Sequence, residues 1–294
     1  MFVSPIIPLI SKHLDTVFLN DSQTDEICQQ FYKDITDALT ANFHPDNFKR
    51  NTGFYFPEMK KNPSLYLHKA SVKLLNKLKE IRSSGTLLIV VTASHIDYTE
   101  LMMRYCYGPE WRSFFDLICC RARKPGFFLL PATQRPFFEW NPKDETQGIE
   151  IVKELDGKQI YLEGHWTAVD KWIKCNASKT GRVAYIGDSF RSDIVPTKAA
   201  TSWDLFSITL EGKLHVDNNA ASVENNQAAK RRHVSNDDCW GSFFGTRNKP
   251  TITGGKLLEH SDLTLSDIEV LSQITIDHDF GNTDSGNFFD FTPI

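Results

Sequence analysis

The sequence predicts an α/β protein built on a parallel sheet with helices on both faces, and three observations carry that expectation. An uninterrupted apolar run of strand length occurs at 87–91, bounded by Gly85 and by polar residues, and further short, mainly apolar runs occur at 115–120, 182–186 and 205–210; runs of this kind suit strands covered on both faces. Helix-period segments separate them: 97–107 places Leu101, Met102 and Tyr105 on one face, and 198–203 has room only for a helical crossover and its loop. Finally, 294 residues with 40% hydrophobic content and 21 Phe supply enough apolar material for one large core.

Taken in order, residues 1–10 are apolar but short, interrupted by Pro5 and Pro8, with no basic stretch ahead of them, which does not make a secretory signal. No apolar run approaches the roughly 20 residues that span a bilayer. Ile27, Phe31, Ile35 and Leu39 recur every four positions, with Ser22 and Asp25 as capping chemistry in front, and predict an amphipathic helix over 24–41. A Phe-, Pro- and Asn-rich connection at 43–63 leads to a second predicted helix, 64–82, with Leu67, Leu74, Leu78 and Ile81 on one face and Ser84-Gly85 as its stop. The expected organisation is thus a helical segment at 1–85, an α/β core at 86–215, and an irregular, partly disordered tail at 216–294 rich in Asn, Ser, Asp and Thr. The Lys230-Arg231-Arg232 triplet reads as a solvated surface run.

Lys plus Arg total 33 against 37 Asp plus Glu, a net charge of -4. No broad basic field invites nucleic acid or an anionic membrane. The six cysteines include no C-x-x-C pair and sit largely in apolar runs; they read as reduced core residues of a soluble, cytoplasmic protein.

In parallel sheets ligands bind beyond the carboxyl ends of the strands, and three of those ends carry Thr92-Ala93-Ser94, Arg123-Lys124-Pro125 and the stretch from Gly187 through Asp188 to Asp193. A hydroxyl or backbone N–H can hydrogen-bond a phosphate oxygen, a lysine can neutralise charge developing on it, and paired aspartates can hold Mg²⁺ through hard oxygen ligands. Together these are equipment for phosphoryl transfer. Singly, each has an ordinary explanation: Asp188 as a helix cap, Lys124 as a surface lysine, Thr92 and Ser94 as caps for the helix beginning near Asp97. Their shared strand-end placement makes the joint case.

Five ordered blocks, Phe54 to Met59, Asn62 to His68, Val91 to Tyr98, Ala122 to Phe128 with Gln134 to Phe137, and Tyr185 to Ile194, resemble the cytosolic 5'-nucleotidase branch of the haloacid dehalogenase superfamily. The resemblance covers about residues 54–214. It implies a partial Rossmann-like haloacid dehalogenase core behind a helical cap remnant, and Mg²⁺-dependent hydrolysis of nucleoside monophosphates or other small phosphate esters. It makes Thr92 the phosphate-binding hydroxyl with Ser94 beside it, Lys124 the lysine that steadies nucleophile and phosphate, and Asp188 with Asp193 the Mg²⁺ pair. Ala93 stands where an Asn often follows the Thr.

The same resemblance calls for an upstream Asp-x-Asp-x-Thr or Val motif, whose first aspartate attacks phosphorus and whose second serves as general acid and base. Asp-x-Asp occurs once in the chain, at Asp277-His278-Asp279, with Gly281 where Thr or Val should stand. The expectation is therefore a family member that begins after its nucleophile strand and is impaired in turnover, with residues 1–50 as a remnant of the intervening helical region. The alternative is a catalytically inactive pseudo-enzyme that binds a phosphate ligand or a protein partner. An esterase reading of Gly187-Asp188-Ser189 is set aside, because none of the nine histidines follows an Asp by three positions. Homo-oligomerisation is left open.

Overall fold

A computed structural model describes residues 21–141, 151–157, 160–177, 181–208, 245–246, 249–250, 252–265 and 267–273. The described residues divide into two compact units, 21–67 and 68–273.

The first unit is helical. Asp21–Asn42 (α1) brackets the predicted helix, with Ile27, Ile35 and Leu39 half-buried and Phe31 exposed. The connection that follows is itself largely helical. Pro45–Arg50 (α2) opens on a proline, whose missing N–H is harmless in a first turn, and the His44 ring caps it by accepting from the Asp46 N–H. Tyr55–Lys61 (α3) is capped by the Asn42 side-chain oxygen, which accepts from the Phe54 and Tyr55 N–H groups. Phe48, Phe56 and Met59 form the buried centre, with the two rings edge-on at 5.3 Å and the Lys60 ammonium 3.8 Å over Phe48.

In the second unit Val72–Ser83 (α4) starts later than the sequence pattern predicts, because Ser71 Oγ accepts from the Leu74 N–H and fixes the N-cap there. Glu269, 198 residues on, holds that serine in turn, accepting from its N–H at 2.8 Å and its hydroxyl at 2.6 Å. Then come Ile89–Val91 (β1), Ile96–Tyr107 (α5), Leu117–Cys120 (β2), Gly126–Leu129 (α6), Phe137–Glu139 (β3), Ile151–Val152 (β4), Ile160–Glu163 (β5), Trp166–Asn176 (α7), Ala184–Gly187 (β6), Val195–Ala200 (α8) and Asp204–Ile208 (β7). Within the polar C-terminal segment Gly245–Thr246 (β8) pairs with Lys249–Pro250 (β9). Ile252–His260 (α9) leads to Leu263–Leu265 (β10) and a closing 3₁₀ turn, Ile268–Gln273.

The four runs singled out in the sequence are β1, β2, β6 and β7. Apart from the β8-β9 pair, the strands form two larger ladders. One has the order β1-β2-β5-β3-β4, its first three strands parallel and its last two antiparallel; the other is the all-parallel β10-β7-β6. This mixed α/β arrangement with parallel strands is consistent with the core that the resemblance implies. Strand β2 lies between β1 and β5 and is buried at every residue, and its pleat splits the core. Leu117 and Cys119 join Phe127, Phe128, Phe137, Tyr161, Trp172 and Trp203 on one face, whereas Ile118 and Cys120 join Ile96, Trp111, Ile160 and Leu162 on the other.

Strands β1 and β6 are different. Every residue of β1 is half-buried, and in β6 Ala184 is exposed and the rest half-buried. Among the described residues no strand pairs with the far edge of either. Cys106, Cys119, Cys120 and Cys175 are free thiols. Cys119 and Cys120 are core residues, as expected, and burial pushes the Cys120 thiol up to about 12; Cys175, by contrast, is exposed on α7, whose buried side chains are Val169 and Trp172. No described helix is long and apolar enough to cross a membrane.

Candidate functional site

The carboxyl ends of β1 and β2 are knitted together past the strands themselves. The Thr92 N–H donates to the Cys119 carbonyl at 2.9 Å, the Ala122 N–H to the Thr92 carbonyl at 2.9 Å and the Arg121 N–H to the Ser94 carbonyl at 2.8 Å. Thr92 and Ser94 are half-buried, and the Ser94 N–H donates to Thr92 Oγ1 at 3.1 Å. Two residues beyond Ala122 stands Lys124, before a cis Pro125, with its side chain only 11% exposed.

From that position Lys124 reaches across to the other ladder. Its Nζ donates to Asp193 Oδ1 at 2.5 Å and to the Tyr185 hydroxyl at 3.2 Å. Tyr185 donates to the same carboxylate oxygen at 2.6 Å, and the Ser189 N–H donates to Asp193 Oδ2 at 3.1 Å. Asp193 is therefore buried and fully engaged. Burial, and after it the Asp193 carboxylate with which it shares a hydrogen bond, raise the Tyr185 hydroxyl far above the usual phenol range; Asp188 adds to the effect. Tyr185 thus serves as a neutral hydrogen-bonding strut. Its ring stacks on Trp203 and meets Phe128, from the helix that follows Lys124, edge-on at 5.3 Å.

Local sequence explains the Asp193 end. Strand β6 stops at Gly187, and a Cβ at that position would lie 2.5 Å from Asp193 Cβ, so only glycine lets the following turn fold back. Ser189 Oγ accepts from the Ser192 N–H, and Ser189 O accepts from the N–H groups of Asp193 and Ile194, closing a wide turn over Phe190–Ile194. Asp188, at the start of this loop, is exposed. Its carboxylate makes no hydrogen bond or ion pair among the described residues, so its role here is not that of a helix cap.

Of the residues singled out in the sequence, Lys124 and Asp193 are in direct contact, Thr92 and Ser94 abut the Lys124 loop through backbone hydrogen bonds, and Asp188 is near enough to act on Tyr185. Asp277 and Asp279 lie outside the described residues. The chemistry of Asp188 and Asp193 fits Mg²⁺ in kind, since that ion is commonly held by one or two carboxylates together with phosphate oxygens and water. Asp188 is the open carboxylate of the two. Among the described residues no group of three or more His, Cys, Asp or Glu is gathered as a metal site.

Beside this pair lies a second charged cluster that sequence reasoning missed. Glu163, the last residue of β5, takes Arg121 at 2.6 Å and Arg123 at 3.0 Å on Oε1, and Arg135 at 3.4 Å on Oε2. Arg121, Arg123 and Glu163 all have left-handed backbones, at φ 50, 50 and 63. For non-glycine residues that conformation costs of order 1–3 kcal/mol each, and it persists where surrounding contacts over-determine it. The available signal was an apolar run, 160–162, ending on a charged residue before Gly164, whose φ of 91 and packing against the Phe137 ring require glycine.

The sequence profile of the 5' nucleotidase family matches residues 1–220. The chain is similar to human 5'-nucleotidase domain-containing protein 1, at 29% identity over 87% of this chain and 60% of that protein, and to its cattle counterpart at 28% with the same coverage. Human 5'-nucleotidase domain-containing protein 2 is 23% identical over 95% of this chain and 58% of its own length. The chain thus spans about three fifths of the length of the curated relatives it matches.

Proposed function

The chain belongs to the 5' nucleotidase family, and from that premise we propose that the strand-end cluster binds the phosphate of a small phosphate ester, a nucleoside monophosphate foremost, as a hydrolase site with impaired turnover. The observation that carries the reading is Lys124 Nζ held 2.5 Å from Asp193 Oδ1 across the two ladders. A nearly buried ammonium needs a partner, and a phosphate oxygen offers the same charge-assisted bond as the carboxylate. An arriving phosphate takes over Lys124 and leaves Asp193 Oδ1 with the Tyr185 hydrogen bond alone. The hydroxyls of Thr92 and Ser94 then complete the cradle from the neighbouring strand end.

Asp188 and the released Asp193 would hold Mg²⁺, which supplies charge neutralisation on the phosphate oxygens. Attack on phosphorus needs a carboxylate aimed at it. Asp193 is unsuited to that task, since Lys124, Tyr185 and Ser189 occupy both its oxygens. The same engagement favours the second reading, a site that binds a phosphate ligand without turning it over.

Two measurements test the proposal. Calorimetric titration with inorganic phosphate should give binding that Lys124→Ala abolishes; unchanged binding in that variant overturns the site. Phosphate release from nucleoside monophosphates with Mg²⁺ should be no faster than for Lys124→Ala, and strong turnover that Lys124→Ala removes would replace the impaired reading with an active one.

A further inference from the structure

Among the described residues the cluster around Glu163 is not charge-balanced. Three guanidiniums share one carboxylate, and Glu163 is the one acidic group among those that act on Arg135, with Arg121 and Arg123 opposing it. Arg121 and Arg135 are 15% and 6% exposed at their side chains, so bulk water is a poor screen for the surplus positive charge. Arg135 commits Nη1 to Glu163 and Nη2 to the Ala122 carbonyl, and its buried Nε has no partner among the described residues. Arg123, by contrast, is 59% exposed, so an incoming anion can reach its guanidinium without any opening of the fold. A guanidinium fork suits bidentate contact with phosphate or carboxylate.

The position of the cluster says what it could serve. Arg123 directly precedes Lys124 in the chain, and the Arg121 N–H is bonded to the Ser94 carbonyl, so the cluster adjoins the phosphate cradle at the same strand ends. We propose that Arg123, backed by Arg121 and Arg135, is a second anion subsite, which takes a further phosphate or carboxylate group on the ester whose first phosphate Lys124 binds. The preferred ligand class is then a phosphate monoester with a second anionic group. This rests on the Lys124 site being a phosphate site, and the two readings fail separately.

The test uses the whole chain and calorimetric titration with methyl phosphate and with propane-1,3-diol bisphosphate. The bisphosphate should bind about tenfold tighter or more, the worth of one charge-assisted contact, and Arg123→Ala, a change at a solvent-facing side chain, should cut that preference to the statistical factor of about two. Inorganic phosphate titrated onto protein saturated with methyl phosphate separates the two sources of the second anion. A second binding event that Arg123→Ala removes, without any bisphosphate preference, keeps the subsite and assigns it to a separate anion. No preference and no second event in the unsubstituted chain, or either one retained in Arg123→Ala, overturns the subsite. Loss of the preference in Arg123→Ala together with full methyl phosphate binding in Lys124→Ala overturns the Lys124 site and leaves the subsite standing.

Discussion

Lys124 with Asp193 and Glu163 with its three arginines are two buried charge centres at the same strand ends, and they are built on opposite principles. The first is matched one to one, with every carboxylate oxygen bonded and a tyrosine hydroxyl filling the gap. The second is mismatched among the described residues, with three guanidiniums to one carboxylate and an Arg135 Nε without a partner. A matched centre gives up one partner only in exchange for another of like charge, whereas a mismatched one can take a further anion without giving up any.

The largest expected effect is on the matched centre. Asp193→Ala leaves the Lys124 ammonium buried with only Tyr185 to accept it, and urea denaturation should register a loss of about 3–5 kcal/mol, the usual result of halving a buried pair. Glu163→Gln should lose less, about 2–3 kcal/mol, because the glutamine oxygen still accepts and Arg123 can turn to water. A larger loss for Glu163→Gln than for Asp193→Ala would break the contrast between the two centres.

A smaller effect tracks pH. His165 is buried beside the arginine cluster, and burial first, then the Arg135 charge, hold its ring below the ordinary histidine range even though a bond to Leu130 opposes them. The unfolded chain takes up that proton below about pH 6.5 while the folded chain refuses it. Stability should therefore be level above that point and fall as pH drops below it towards the folded value. His165→Gln should flatten this slope. The paired carboxylates Glu100, Asp170 and Asp262, which are also held low, lose their contribution only near and below about pH 4.5, a separate window. Smallest of all, Asp188→Asn should stay within about 0.5 kcal/mol of the unsubstituted chain, as an exposed, unbonded side chain should.

Much of this was legible in the sequence, for identifiable reasons. Strands β1, β2, β6 and β7 are short, mainly apolar runs, and the strand-end rule then pointed to Thr92, Lys124 and Asp193. Strand β5 escaped because only Ile160, Tyr161 and Leu162 precede a charged residue, too short a run to separate from a loop; with it went Glu163, whose value comes from partners 28 to 42 positions away in the chain. The 64–82 helix prediction overshot because Leu67 fits the helical face although the cap lies at Ser71. Strand β10 is read from no local pattern at all, since its Leu-Thr-Leu gains its place by pairing with β7. The difference between Asp188 and Asp193, one open and one engaged, is likewise decided by the turn that Gly187 permits, which spacing alone does not reveal.

The bond between Ser71 and Glu269 has a consequence in time. The two are 198 residues apart, so a ribosome adding about 5–20 residues per second needs roughly 10–40 s to deliver the second after the first. For that interval the first turn of α4 has its own serine cap but lacks the carboxylate that anchors the serine. The later-made glutamate therefore acts as a clasp, fastening the first helix of its unit only once the last described turn of the chain has been made.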